Sequence, residues 1–251
     1  MGWGKRPVKN AGNQGEERMD AAEIIRIHQE TPTVKSFRLG LATPTFSFLP
    51  GQWVDLYIDD PDEGEVIGGF SITSSPLHRD YIDLAIKKIP DGRASVYLHE
   101  RVQVGDGVTI DGGYGDFYYR EGMSQALVLI AGGIGITPLM SMMRLIDEAS
   151  LDVDLTLCYS AATPSEFVFY EELQAIAARH ANVRCHFTVT QPGNASWDGR
   201  VGRIDRELLG AQAMMPNALY YLCGPRGFAE DMEGLLTQLG VGGSQMRREA
   251  W

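Results

Sequence analysis

The chain has 251 residues and a formal net charge of −11, with 44% hydrophobic and 22% charged residues. This length and composition fit a globular protein of one large or two ordinary domains, each with its own core. The acidic balance argues against nucleic acid and anionic membranes as partners, and no apolar run approaches the roughly 20 residues that span a bilayer.

The first 20 residues are rich in Gly, Asn, Gln and charged side chains, so we expect a disordered leader over residues 1–20. Short segments with turn signals between them follow. Alternation within them, as in Ile82, Leu84 and Ile86, is typical of strands with one buried face. Six such segments predict a small antiparallel β-barrel. The predicted strands are 24–27, 34–41, 53–58, 69–73, 81–86 and 108–110, and one helix is predicted over 94–101.

One stretch near the middle of the chain combines a strand, a glycine turn and a helix start. Residues 127–130 are all aliphatic, as in a strand covered on both faces, and glycines follow at 132, 133 and 135. Thr137 is predicted as the N-cap and Pro138 as the first helical residue. Such a turn gathers free N–H groups at a positive helix end, which favours a phosphate site. The alternative is a tight turn that binds nothing.

Beyond this stretch strands alternate with helices, which predicts a parallel sheet with helices on both faces. Thr163-Pro-Ser-Glu166 has the form of a capping box, and we expect it to open a helix with Phe169, Leu173 and Ile176 on one face. The boundary between the two patterns falls at residues 120–125. The predicted strands of this half are 127–130, 153–159, 183–189 and 218–223, and a further helix is predicted over 227–239.

The three cysteines, Cys158, Cys185 and Cys223, are far apart and form no C-x-x-C pair. This spacing argues against a disulfide framework and a zinc site, and it predicts a reducing compartment. The cytoplasm is the default, with an organelle matrix as the alternative. A [2Fe–2S] cluster held by four thiolates cannot be built from three cysteines, and the five histidines show no metal-ligand spacing.

Three motifs occur in a fixed order: Gly68-Gly-Phe-Ser-Ile-Thr-Ser-Ser-Pro76, Gly132-Gly-Ile-Gly-Ile-Thr-Pro138 and Cys223-Gly-Pro225. In this order and spacing they resemble the ferredoxin–NAD(P)H reductase superfamily, and the resemblance covers all of the chain except the leader. It implies two domains: an antiparallel flavin-binding β-barrel over 21–122, followed by an α/β parallel-sheet nicotinamide-binding domain over 123–251, which ends in a C-terminal tail.

The first motif departs from the family's Arg-x-Tyr-Ser, in which the Arg pairs with a flavin phosphate and the Tyr packs on the ring. Gly68 stands at the Arg position, and Phe70 can pack on the ring without a hydroxyl. The resemblance places Ser71 near flavin N5. Asp91-Gly-Arg-Ala-Ser95 resembles the family's Gly-x-x-Ser phosphate loop, and its Arg93 could replace the lost charge.

The resemblance therefore implies a bound flavin, FAD in preference to FMN. As alternatives without a ligand, Gly92 and Ser95 would form an ordinary turn and helix cap, and Ser71 would face solvent. The implied flavin-binding residues are Phe70, Ser71, Ile72, Thr73, Lys87, Gly92, Arg93, Ala94 and Ser95.

The second and third motifs imply a nicotinamide dinucleotide site at the carboxyl ends of the strands. Cys223 would lie beside the nicotinamide; its alternative is a buried structural cysteine. Ser160 and the loop after it contain no basic residue for a 2′-phosphate, which favours NADH over NADPH unless Arg200 or Arg203 approaches from another loop. The implied residues are Gly132, Gly133, Gly135, Thr137, Pro138, Ser160, Cys223, Gly224 and Pro225.

The last residue, Trp251, is the position at which many family members stack an aromatic ring on the flavin. A frayed tail is the alternative. Glu249 is a further candidate to orient a proton or the ring. The resemblance thus assigns the catalytic roles to Ser71, Cys223 and Trp251.

We expect a flavoprotein NAD(P)H oxidoreductase that passes electrons from NADH through the flavin to a separate acceptor protein, such as a ferredoxin, a haem protein or an oxygenase component. Two alternatives stay open: a reductase of free flavins or quinones, and a non-catalytic subunit that kept the fold. A basic docking patch for the acceptor is possible, and scattered solvated cations are the alternative. Its members would be Lys87, Lys88, Arg93, Arg101, Arg247 and Arg248.

Overall fold

The computed structural model describes residues 19–62 and 64–250. The leader prediction for residues 1–18 and the role predicted for Trp251 therefore lie outside the described residues. Asp20, the last residue of the predicted leader, already begins the first strand.

The first half is a six-stranded antiparallel sheet in the order β4-β3-β6-β1-β2-β5. A bridge between Ile72 and Leu84 joins its two outer strands, so the sheet closes into a barrel. Inward-facing side chains, most of them aliphatic, fill the interior, and β4 contributes the partly buried Phe70 ring. The antiparallel barrel is confirmed. Its strands are β1 (Asp20–Thr31), β2 (Val34–Leu41), β3 (Trp53–Asp60), β4 (Gly64–Ser71), β5 (Tyr81–Lys87) and β6 (Gly107–Tyr114).

One helix, α1 (Arg93–Glu100), lies between β5 and β6 and covers the β4 side of the barrel. It buries Ala94, Ser95 and Leu98. The predicted helix over 94–101 differs by one residue at each end, which is the usual uncertainty of helix termini.

The second half is a six-stranded parallel sheet in the order β10-β9-β8-β7-β11-β12. Helices α2 and α3 pack on one face, and α4 and α5 pack on the other, which confirms the α/β prediction. The strands are β7 (Ala126–Gly132), β8 (Asp154–Ala161), β9 (Val183–Val189), β10 (Arg200–Val201), β11 (Leu219–Gly224) and β12 (Met246–Ala250). The helices are α2 (Ile136–Glu148), α3 (Tyr170–Arg179), α4 (Arg206–Gln212) and α5 (Arg226–Gln238). Within the described ranges, none of the helices combines the length and the apolar character that crossing a membrane requires.

The predicted capping box at Thr163 is wrong. Pro164–Glu166 forms an isolated 3₁₀ turn, and the Thr163 hydroxyl donates to the Glu166 carboxylate instead of capping a backbone N–H. Helix α3 begins only at Tyr170, after Phe169 adopts a left-handed conformation with φ of 61°. A positive φ at Phe169 breaks the helical path, so the turn and α3 are separate elements.

Candidate active site

The turn between β7 and α2 is tighter than the sequence predicts. Gly133–Gly135 forms a 3₁₀ turn, and Gly135 is the N-cap of α2. The prediction of Thr137 as the N-cap is wrong, because Thr137 already lies in the first helical turn and its hydroxyl donates to the Ile134 carbonyl at 3.0 Å. Pro138 is the third helical residue, a position that needs no N–H donor.

The three glycines of this turn serve different purposes. A Cβ on Gly132 would lie 2.9 Å from the Phe228 ring, and a Cβ on Gly135 would lie 2.2 Å from the Cys223 carbonyl oxygen. Packing therefore requires those two glycines. Gly133 has a φ of 55° and open space where its Cβ would point. No side chain of the described residues caps α2, but the Ile136 N–H already donates to the Gly133 carbonyl and Pro138 has no N–H. What the turn offers an anionic pyrophosphate is therefore the positive end of the helix dipole beside this open space.

Strand register brings the other predicted dinucleotide residues to the same edge of the sheet. Strand β7 lies between β8 and β11. Its Gly132 pairs with Ser160 of β8, and its Ala131 pairs with Cys223 of β11. Gly224 ends β11, and Pro225 follows it as the N-cap of α5. Because all these strands are parallel, their carboxyl ends form one continuous rim.

Glu249 of β12 pairs with Cys223 at this rim. Burial raises the pKa of Glu249 from its usual 4.5 to about 7, and its Oε2 atom is buried without a hydrogen-bond partner among the described residues. Burial, followed by the adjacent Glu249 carboxylate, also raises the pKa of Cys223 well above its ordinary value. The Cys223 thiol is therefore protonated at neutral pH and is not poised as a nucleophile.

The two arginines named as alternative contacts for a 2′-phosphate, Arg200 and Arg203, each lie near a carboxylate. Arg200 forms an ion pair with Asp205, the N-cap of α4. Arg203 lies 3.7 Å from Asp231. Ser160 is itself buried, and the loop after it adds no basic group.

On the barrel side, the Phe70 ring fills the space beside Gly68, the position at which the family carries its arginine. A Cβ on Gly68 would lie 2.7 Å from the Phe70 ring and 2.8 Å from the Ala94 methyl group. The ring thus packs between β4 and the start of α1 and faces the barrel core. A side chain at position 68 fits only if Phe70 moves.

The start of α1 is a second uncapped helix end. Gly92 is its N-cap, and no side chain of the described residues accepts from its first N–H groups. Ser95 is buried, and its hydroxyl accepts from the Ile89 N–H at 3.1 Å and donates to the Gly92 carbonyl at 3.0 Å. Ser95 therefore shapes the loop, while the exposed Arg93 and the backbone N–H groups can meet a phosphate.

The remaining predicted flavin residues lie along the seam of the barrel. Ser71 ends β4 beside Trp53 and is partly exposed. Ile72 and Thr73 are buried, and the Thr73 hydroxyl donates to the Asp83 carbonyl at 3.0 Å. Their side chains thus help to close the barrel, and their backbone N–H groups are also bonded, that of Ile72 to the Gln52 carbonyl at 3.0 Å and that of Thr73 to the Asp83 carbonyl at 2.8 Å. Lys87, which is partly exposed, ends β5.

Several of the basic side chains predicted to form a docking patch have acidic partners. The ion pairs are Lys88 with Glu100 at 2.6 Å, Arg101 with Asp62 at 2.5 Å and Arg248 with Glu233 at 2.7 Å. Arg247 donates to backbone carbonyls of Ser244 and Met246. This pairing reduces the positive field that such a patch would present to a partner.

The structure therefore assembles two groups of predicted residues, one around α1 and β4 and one around the start of α2. Helix α2 connects them through side chains that the sequence alone did not identify. The Ser141 hydroxyl donates to the Ser74 carbonyl at 2.6 Å, and Arg144 donates to the Thr73 carbonyl at 3.0 Å. An arginine on a helix that is otherwise largely buried was the signal that could have identified this contact.

Comparison with known proteins agrees with this layout. The family model of the oxidoreductase FAD-binding domain matches residues 21–119, and that of the oxidoreductase NAD-binding domain matches residues 129–234. The Oxidoreductase NAD-binding domain-containing protein 1 of Danio rerio is 35% identical over 92% of this chain and 91% of its own length.

Two further matches bear on function and fold. The glycine betaine monooxygenase reductase subunit of Chromohalobacter salexigens is 32% identical over 90% of this chain, but the chain spans only 62% of that relative. A ferredoxin NADP⁺ reductase structure from Neisseria gonorrhoeae, with bound FAD and NADP, superimposes with a TM-score of 0.79 at 22% identity, covering 94% of this chain and 99% of that one. This second likeness is one of fold alone.

Proposed function

Because the chain belongs to the ferredoxin–NAD(P)H reductase superfamily of FAD- and NAD-binding oxidoreductases, we propose that it transfers electrons from NADH through a bound flavin to a separate acceptor. We assign the flavin to residues 21–122 and the dinucleotide to residues 123–251. The observation that carries this proposal is the pair of helix starts without a side-chain cap, one in each half, of which the one at α2 borders open space at Gly133.

The chain's own residues hold and shield the reactants. A bound flavin would supply the redox chemistry, as the acceptor of the hydride that NADH gives up on becoming NAD⁺. We assign the flavin phosphate to Arg93 and the N–H groups at the start of α1, and one ring face to Phe70. Cys223 and Glu249 line the rim, as neutral groups below pH 7, and limit the access of water to it.

NADH is favoured over NADPH for a structural reason. Ser160 and the loop after it carry no basic residue, and the Arg200 guanidinium is paired with Asp205, so neither supplies the contact that a 2′-phosphate requires. We expect the ratio of kcat/KM for NADH to that for NADPH to exceed one.

The acceptor is proposed to be a separate protein. The described cysteines are three free thiols, too few for a [2Fe–2S] cluster held by four thiolates. A reducing compartment such as the cytoplasm suits these thiols. By analogy with the glycine betaine monooxygenase reductase subunit, an oxygenase component is the acceptor class that we favour.

An absorption spectrum of the purified protein tests the proposal. We expect flavin bands that bleach when NADH is added without oxygen. A colourless protein that oxidises NADH only after flavin is added would support a free-flavin reductase instead. A colourless protein that neither binds flavin nor oxidises NADH would overturn both enzyme assignments.

A further inference from the structure

The Arg144 guanidinium is a charged group at the centre of the contact between the two halves. Its Nε and Nη2 atoms donate to the two carboxylate oxygens of Glu172 in α3, each at 2.8 Å. Its Nη1 atom donates to the Thr73 carbonyl at 3.0 Å. The guanidinium carbon lies 4.9 Å from the centre of the Phe169 ring, and 15% of the side chain is exposed. One side chain thus ties α2 and α3 to the segment that follows β4.

Because the Arg144 guanidinium is mostly buried, only a narrow range of its orientations keeps all its N–H donors paired. A guanidinium removed from water is stable only where its N–H donors are paired, and its planar fork fits a carboxylate in a restricted set of orientations. The Asp83 carboxylate of β5 lies 3.8 Å from Nη1 and is also held by Arg38 through two hydrogen bonds of 2.8 and 2.9 Å. The same charge network therefore includes a second strand of the barrel.

We propose that Arg144 is a positioning residue for hydride transfer, an inference that rests on the proposed function. Thr73 lies two residues after Ser71, which we assign to the flavin, and α2 begins at the turn that we assign to the pyrophosphate of NADH. Arg144 thus sets the separation of the two binding segments. Reacting atoms must come within about 3–3.5 Å, and a misplacement of about 1 Å costs about 100-fold in rate.

The test is Arg144→Met, with Arg179→Met as its matched control. Arg179 of α3 also pairs with a carboxylate of α2, Asp147, through hydrogen bonds of 3.2 and 2.6 Å, and among the described residues no hydrogen bond or ion pair joins this pair to the barrel half. Single-turnover flavin reduction by NADH should slow by about 100-fold in Arg144→Met. The Arg179→Met variant should keep the rate of the unmodified protein. The dissociation constants for flavin and NAD⁺ should change little in either variant.

Hydrogen exchange of the flavin-free protein gives a readout that does not depend on activity. Backbone amides of residues 72–75 and of β5 should exchange faster in Arg144→Met than in Arg179→Met, because only the first variant releases the barrel segment. If the two variants share the same exchange pattern and the same reduction rate, Arg144 has no positioning role.

Two further outcomes remain decisive. If Arg144→Met does not fold, Arg144→Lys replaces it: lysine keeps the charge but lacks the planar fork that bonds Glu172 and Thr73 together, and reduction at an unchanged rate would overturn the proposal. If the unmodified protein binds no flavin, the proposed function fails by itself. The exchange comparison then still shows whether Arg144 holds the two segments together.

Discussion

At the scale of single residues, Glu249 is an acid whose burial links folding to pH. Its pKa rises from 4.5 to about 7 because burial disfavours the charged form. Between these two pH values the folded protein holds a proton that the unfolded chain releases. The free energy of unfolding should therefore fall as pH rises through this window, by up to about 3 kcal/mol from this group.

Glu249→Gln should remove this dependence. The amide has no charge to bury, so the variant should be more stable than the unmodified protein above about pH 7 and should lack its slope below that pH. Urea unfolding at several pH values measures both effects. Glu233→Gln is the control, since Glu233 is about half exposed and pairs with Arg248 at the surface. Equal slopes in the two variants would contradict the role of Glu249.

Arg93 is the residue that we expect to replace the family arginine. Arg93→Ala should weaken flavin binding about 10- to 100-fold, because a hydrogen bond to a charged phosphate is lost. Titration of the flavin-free protein by fluorescence quenching measures the loss. Arg101→Ala is the control at the other end of the same helix, where Arg101 pairs with Asp62. Equal affinities in the two variants would place the phosphate elsewhere.

At the scale of elements, the β7 to α2 unit could be predicted from sequence because its signals are local. Four consecutive aliphatic residues identify the strand, and the glycines that follow identify the turn. The position of Phe70 over Gly68 and Ala94 could not be predicted, since it depends on contacts between segments that are 24 residues apart. Strand β12 was missed because Met246–Ala250 carries charged side chains without apolar alternation, and it gains its order from pairing with β11.

Two substitutions in the glycine turn separate packing from binding. Gly133→Ala should cost about 1 kcal/mol through its positive φ and should weaken NADH binding, because the new methyl group enters the open space at the start of α2. Gly135→Ala should lower the melting temperature far more, since its Cβ would lie 2.2 Å from a backbone carbonyl of β11. NADH titration and thermal unfolding measure the two effects. Unchanged NADH affinity in Gly133→Ala would argue against a pyrophosphate site at this turn.

At the scale of the whole molecule, the two halves share part of one core. Val34 and Ala85 of the barrel strands belong to the same buried cluster as the inner face of α2. The segment that leads out of the barrel adds Phe117, whose ring meets that of Tyr221 edge-on at 5.3 Å, and the Tyr221 hydroxyl donates to the Tyr118 carbonyl at 2.7 Å. Such a shared core couples the unfolding of the two halves.

We therefore expect one cooperative unfolding transition, and two tryptophans can test it. Trp53 lies in the barrel, and its ring centre is 5.2 Å from that of Tyr114. Trp197 lies in the α/β half and stacks on Phe167, with ring centres 5.4 Å apart. The Trp53→Phe and Trp197→Phe variants each remove one of these two fluorescence signals, so their fluorescence reports differently on the two halves. In both variants the midpoint of unfolding by fluorescence should agree with the midpoint by far-UV circular dichroism. Flavin at about 100 times its Kd should stabilise both signals equally, by about 2.7 kcal/mol, although it binds mainly to one half. Two different midpoints would mean that the halves unfold independently, and so would a stabilisation by flavin that is seen only in the barrel signal. Contacts such as that of Arg144 with Thr73 would then couple the halves only weakly.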